Sequence, residues 1–191
     1  MRILGIDPGL RSTGWGVIAC EDGSLRHIAN GAIQPKPTLT DADRLGIIFR
    51  ELDDVIAQHK PYQAAIEQIF VAKSAGSALR LGMARGVGLL VCGVNGLAVG
   101  EISARAVKKA VAGTGTAEKK QVQDMVTRLL AVTAANADAA DALAIAIALS
   151  NGAGKLSGVG VGSVRGEVAG GLEAAIAAAL ARENANNGGK T

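Results

Sequence analysis

Aromatic side chains are almost missing from this chain of 191 residues, which has one Trp, one Tyr and two Phe. A broad stacking platform for nucleic-acid bases is therefore excluded, and the core has to be aliphatic. Cysteine is scarce too: Cys20 and Cys92 form no C-x-x-C pair and have no His nearby, so neither a disulfide framework nor a zinc centre is supported. Both are expected to be buried, reduced thiols. The N-terminus MRILGIDPGL is interrupted by Asp7 and lacks the apolar stretch of an export signal, which points to a cytoplasmic protein. Long apolar runs are lacking as well. The longest, from Gly86 to Gly100, contains Asn95 and several glycines and falls short of the roughly 20 residues of a membrane span, so no membrane role is expected.

What the chain does have is small and aliphatic: 36 Ala and 26 Gly, with 49% hydrophobic and 19% charged residues. That is enough apolar material to offset the entropy of ordering a globular body. Arg2 to Ile6 form a short apolar run ending at Asp7-Pro8-Gly9, and Trp15–Cys20 and Leu25–Ile33 flank the turn sequence Glu21-Asp22-Gly23-Ser24. Three strands in a meander are predicted. Apolar residues recur at helical spacing across Asp41–His59 before Pro61, Ala64–Phe70 reads as a strand, and Ser74–Gly96 as a glycine-rich helix. A fifth strand at Leu97–Ile102 and helices at Ala104–Ala112, Ala117–Val132 and Asp138–Ser150 complete a body of residues 1–151. Residues 152–191 are Gly/Ala-rich and read as a tail, with one short helix expected at 173–182.

Four acids stand where acids are rarely placed without a reason: Asp7 at a strand end, Glu67 within an apolar strand, and Asp138 and Asp141 three apart on one helix face. Singly, Asp7 also fits a turn former, Asp138 a helix cap, Asp141 a solvated first-turn acid and Glu67 an outward side chain on an edge strand. Together they fit the carboxylate cage of hard divalent cations. From Gln68 through Ala112 a single acid, Glu101, faces Lys73, Arg80, Arg85, Arg105, Lys108 and Lys109, an excess suited to phosphate. His27 and His59 sit in a strand and at a helix end and are poor general bases.

Gly5-Ile6-Asp7-Pro8-Gly9, Ile66-Glu67-Gln68-Ile69-Phe70, Val107-Lys108-Lys109-Ala110-Val111 with Ala117-Glu118-Lys119-Lys120-Gln121-Val122, and Asp138-Ala139-Ala140-Asp141-Ala142-Leu143-Ala144 resemble the motifs of the RuvC family of bacterial Holliday junction resolvases, in one order over about residues 1–150. The resemblance implies a ribonuclease-H-like α/β fold, with a mixed five-stranded sheet flanked by helices. It implies a homodimer that makes paired, Mg²⁺-dependent nicks across a four-way DNA junction in recombination and repair, partnered by the RuvA and RuvB branch-migration proteins. Two Mg²⁺ ions per site are expected, with Mn²⁺ substituting. It casts Asp7, Glu67, Asp138 and Asp141 as the metal-binding catalytic set, Phe70 as a wedge against junction bases, and Lys108 and Lys119 as phosphate contacts. The local basic excess adds Lys73, Arg80, Arg85 and Lys109 to the DNA-binding set. Two rival readings fit the same residues. One is a junction-binding scaffold with a silent site; the other is an actin-like ATPase, whose first phosphate loop resembles Gly5–Gly9 but which needs two such domains.

Overall fold

The computed structural model of the protein describes residues 1–69 and 75–157. In chain order the elements are β1 (Arg2–Asp7), β2 (Thr13–Glu21), β3 (Ser24–Ile33), α1 (Asp41–His59), β4 (Gln63–Glu67), α2 (Ala75–Val94), β5 (Ala98–Ile102), α3 (Ala104–Ala112), α4 (Lys119–Leu130), α5 (Ala137–Ser150) and β6 (Lys155–Ser157). They form one mixed sheet of order β3-β2-β1-β4-β5-β6. The meander β1-β2-β3 is antiparallel, while β1, β4 and β5 run parallel. Asp22 and Gly23 both take positive φ, 51° and 78°, as the two-residue turn joining β2 to β3 requires.

The five expected strands and all five helices of the body are present, with two differences. The fourth strand ends at Glu67, three residues before the expected Phe70. A sixth strand, β6, pairs antiparallel with β5 and is formed by residues that the sequence assigned to the tail. Gly152 and Gly154, at φ of 76° and 88°, turn the chain back for it. Three residues are too few to show an alternating pattern, so β6 leaves no trace in the sequence. The helix expected at 173–182 lies outside the described residues.

The sheet is covered on both faces, and strand parity decides which side chain goes where. Ile3, Ile18, Ala65 and Ile102 pack with α3, α4 and α5. Leu4, Ile6, Val17, Ala64, Ile66 and Val99 pack with α1 and α2 on the other face. Counting by two from Ile3 and from Ala65 puts both Asp7 and Glu67 on the α5 face. Helix α5 is the buried spine of that layer, with every residue from Ala142 to Leu149 buried. It lies directly on the sheet because β1 and β2 offer it glycine. A Cβ on Gly5 would stand 1.9 Å from the carbonyl oxygen of Ala142, and one on Gly14 2.0 Å from that of Asp138.

Helix α2 corrects one expectation: at 20 residues it is long and apolar enough to cross a membrane, judged by length and composition alone. It nevertheless lays Ala84, Gly88, Val91 and Cys92 on the sheet. Cys92 is buried, which pushes its thiol up to about 12, whereas Cys20 is only half-buried.

Candidate active site

Each acid arrives by its own element. Asp7 ends β1, and the turn that follows it is tied down at three points. The Thr13 hydroxyl donates to the Gly9 carbonyl at 2.8 Å, the Arg44 guanidinium donates to the Leu10 carbonyl at 2.8 Å, and Ser12 Oγ donates to Asp138 Oδ2 at 2.5 Å. Glu67 ends β4, one rung beyond the Ile6–Ile66 pair, so it neighbours Asp7 at the C-terminal ends of the two central strands. Asp138 and Asp141 occupy the first turns of α5. The N-cap there is Asn136, whose side chain accepts from the Ala139 N–H at 2.9 Å, so Asp138 is released from the capping role that its position suggested. Asn30 Oδ1 accepts from the Ala135 N–H at 2.7 Å and fixes the approach to this helix from β3.

The sheet face and α5 bring Asp7, Asp138 and Asp141 together, one carboxylate oxygen from each lying within 4.8 Å of the others. Glu67 stands beside this trio rather than in it. It separates two cavities, one of about 250 Å³ shared with Asp7 and Gln68, the other of about 270 Å³ shared with Lys108, Lys119 and Asp141. Lys119 Nζ meets Asp141 Oδ2 at 2.5 Å. It gets there because α4 starts at Lys119, where Gln121 Oε1 accepts from the Glu118 N–H at 2.8 Å.

Burial and mutual repulsion leave the cluster short of positive charge. Burial first, then the carboxylates of Asp141, Glu67 and Asp138, push the Asp7 carboxyl up to about 7, with Lys119 opposing only in part. Glu67 is raised by burial and by Asp141, against Lys119 and Lys108. The Lys119 ammonium is raised above its ordinary value, chiefly by its hydrogen bond to Asp141. Oxygen-only donors with unneutralised charge fit a hard divalent cation.

The upward shift of the Asp7 carboxyl has a measurable consequence. A folded-state carboxyl raised from 3.8 to about 7 binds its proton more firmly than the unfolded chain does, so the metal-free protein loses stability as pH climbs through that window. A cation held by Asp7 would compete with a proton there. Calorimetric titration with Mn²⁺ is expected to show proton release at about pH 6, little at about pH 8, and tighter binding at the higher pH. Proton release equal at both pH values contradicts the assignment.

The other expected contacts divide. Lys108 lines the larger cavity with Lys119. Lys109 is exposed in the last turn of α3. Arg80 is exposed, with Nε 3.8 Å from Asp41. Arg85 is withdrawn from the surface and pairs with Glu101. Phe70 and Lys73 lie outside the described residues. His27 and His59 line neither carboxylate cavity. Sequence reasoning missed Ser12, which is 126 positions from Asp138, and the two glycines that seat α5. No periodicity marks either.

The family profile described as crossover junction endodeoxyribonuclease RuvC matches residues 3–149, nearly the whole described body. The chain belongs to the RuvC family. RuvC of Paramagnetospirillum magneticum is 53% identical over 148 residues, covering 77% of this chain and 89% of the relative. RuvC of Zymomonas mobilis is 52% identical over the same length and the same shares. Among solved structures, T. thermophilus RuvC in complex with Holliday junction substrate matches with a TM-score of 0.76 and 29% identity, over 82% of this chain and 99% of that one. The yeast mitochondrial Holliday junction resolvase Ydc2 shares the fold, with a TM-score of 0.55 at 12% identity. The ribonuclease-H-like expectation therefore holds, and membership of the RuvC family displaces the actin-like alternative.

Proposed function

We propose that this chain is a crossover junction endodeoxyribonuclease that resolves four-way DNA junctions by paired, Mg²⁺-dependent phosphodiester hydrolysis, in recombination and repair in the cytoplasm. The observation that carries the reading is the convergence of Asp7, Asp138 and Asp141 within 4.8 Å, with Glu67 beside them, in a member of the RuvC family. Asp7, Glu67, Asp138 and Asp141 are the groups that would hold the cations, Mg²⁺ or Mn²⁺. When bound, such cations supply the Lewis acidity that lets water attack a phosphodiester and that offsets charge on the departing 3′ oxygen.

The chain's own residues do the rest. Ser12 and Lys119 each hold one carboxylate oxygen, of Asp138 and of Asp141, and so set which oxygens face the cavity. Lys108 and Lys119 present positive charge on the wall of the larger cavity, where a phosphate would lie. Arg80, Lys109, Lys73 and Phe70 extend the DNA contact, and RuvA and RuvB are the partners that the family suggests. Incubation with a labelled synthetic four-way junction and Mg²⁺ should give symmetric nicks, with a linear duplex left uncut. Junction binding without nicking would favour the scaffold reading.

Two related nicks are most simply made by two copies about a two-fold axis. Support for a homodimer comes from α2, where Leu79, Gly82, Gly86, Leu90 and Gly93 form one stripe opposite the sheet-facing Ala84, Gly88 and Val91. Leu79 and Leu90 are 66% and 57% exposed, and a Cβ on Gly82, Gly86 or Gly93 would meet nothing within 4 Å. The double change Leu79→Glu with Leu90→Glu should give a monomer by light scattering, and isolated nicks should replace paired ones. A dimer surviving the change would remove α2 from the interface.

A further inference from the structure

The fold gives Arg85 a task that its basic character conceals. We propose that Arg85 is a positioning residue for Glu67, a clamp that joins α2 to the ends of β4 and β5, and not a phosphate contact; this rests on Glu67 belonging to the active site. Its Nε–H donates to the Glu67 carbonyl at 3.2 Å, and its guanidinium forms an ion pair with Glu101 of β5. The Arg85 side chain is only 18% exposed. Glu67 is the last residue of β4, and the ladder between β4 and β5 finishes with the Gln68 N–H donating to the Ile102 carbonyl at 2.9 Å. That rung uses only the N–H of the peptide joining Glu67 to Gln68, and the carbonyl of the same peptide is left for another partner. Arg85 is that partner from outside the sheet, gripping the carbonyl of the residue whose carboxylate divides the two cavities.

Glu101 is what makes the grip directional. It lies opposite Ile66 in the β4–β5 register, so the carboxylate that orients the guanidinium belongs to the strand beside the one being held. The planar fork of arginine can serve both acceptors together, which a lysine ammonium at the end of a flexible stem does poorly. Gln68, Ile69, Arg85 and Glu101 line a recess that shares Gln68 and Ile69 with the Asp7 cavity, and Arg85 itself lines neither of the two carboxylate cavities.

The test compares Arg85→Gln, Arg85→Lys, Glu101→Gln and the double change Arg85→Gln with Glu101→Gln, using Lys108→Gln as the phosphate-contact control. A positioning role predicts that Arg85→Gln lowers kcat by roughly 10- to 100-fold, the scale of a misplaced catalytic group, with junction Kd unchanged within about twofold. Its salt dependence of binding stays at the wild-type slope, Arg85→Lys rescues only in part, and the double change is no worse than Arg85→Gln alone. Amide exchange in a peptide covering 63–69 should rise in Arg85→Gln and Glu101→Gln and stay put in Lys108→Gln. The exchange measurement needs no cleavage, so a wild-type protein that cuts no junction condemns the functional reading while exchange still decides the clamp. If Arg85→Gln fails to fold, Glu101→Gln and Arg85→Lys carry the same comparison. The proposal is overturned if Arg85→Gln weakens junction binding about tenfold and lowers the salt slope by about one, as loss of a phosphate contact does, or if exchange at 63–69 is unchanged.

Discussion

With Asp141→Asn, the protein is expected to bind a four-way junction as tightly as the wild type, or more tightly, and to cleave it at least about 10³-fold more slowly in Mg²⁺. Asp141 is singled out because it belongs to both halves of the site. It shares the trio with Asp7 and Asp138, and it lines the larger cavity with Glu67, Lys108 and Lys119. Asparagine keeps the shape but not the charge, so an oxygen-seeking cation loses a full ligand charge. The sign on binding follows from the same loss. A negative group removed from beside a phosphate path lowers repulsion, so affinity does not fall. A gel-shift titration alongside single-turnover cleavage separates the two effects. Cleavage within about tenfold of wild type would remove Asp141 from the catalytic set.

The second large effect is on folding, and it comes from a single methyl group. Gly5→Ala places a Cβ 1.9 Å from the Ala142 carbonyl oxygen and 2.8 Å from the Ala146 nitrogen, and both are backbone atoms in the middle of α5. Neither can turn aside as a side chain would, so β1 and the helix have to separate. The expected cost is about 3 kcal/mol, at the upper end of what overpacking a core produces. Thermal unfolding is expected to shift down by roughly 10 °C for a chain of this size. Because Asp7 rides on β1 while Asp138 and Asp141 ride on α5, separating them also spreads the trio, and the surviving folded protein should cleave poorly. Gly46→Ala is the contrast. A Cβ there meets nothing within 4 Å, and Gly46 lies inside α1, so alanine should stabilise by up to about 1 kcal/mol. Equal melting temperatures for the two variants would contradict this packing account.

The acids were readable because burial makes an unpaired carboxylate conspicuous: Asp7 and Glu67 interrupt apolar runs, and Asp138 and Asp141 interrupt an Ala, Leu and Ile helix. The shared face of Asp138 and Asp141 was readable as well, since a spacing of three on a helix fixes direction without coordinates, whereas the common face of Asp7 and Glu67 needed the packing of the sheet. What the residues did not reveal depends on contacts between distant positions. Ser12 looks like any turn serine until the fold puts Asp138 at its hydroxyl. Gly5 and Gly14 look like ordinary strand glycines until α5 lies across them. Arg85 counted as one more positive charge because its partners Glu67 and Glu101 lie on two other elements. Strand β6 escaped notice for a simpler reason, being three residues long between glycine turns. Local pattern thus singled out the acids proposed to carry chemistry, while the contacts made by Ser12, Arg85 and the two glycines required the fold.

The most direct measurement of the central claim is an anomalous diffraction map of crystals grown or soaked with Mn²⁺. The account predicts an anomalous peak ligated by carboxylate oxygens of the trio Asp7, Asp138 and Asp141, lost in crystals of Asp141→Asn. Mn²⁺ bound only elsewhere, with these three carboxylates left without an ion at saturating concentration, would contradict it.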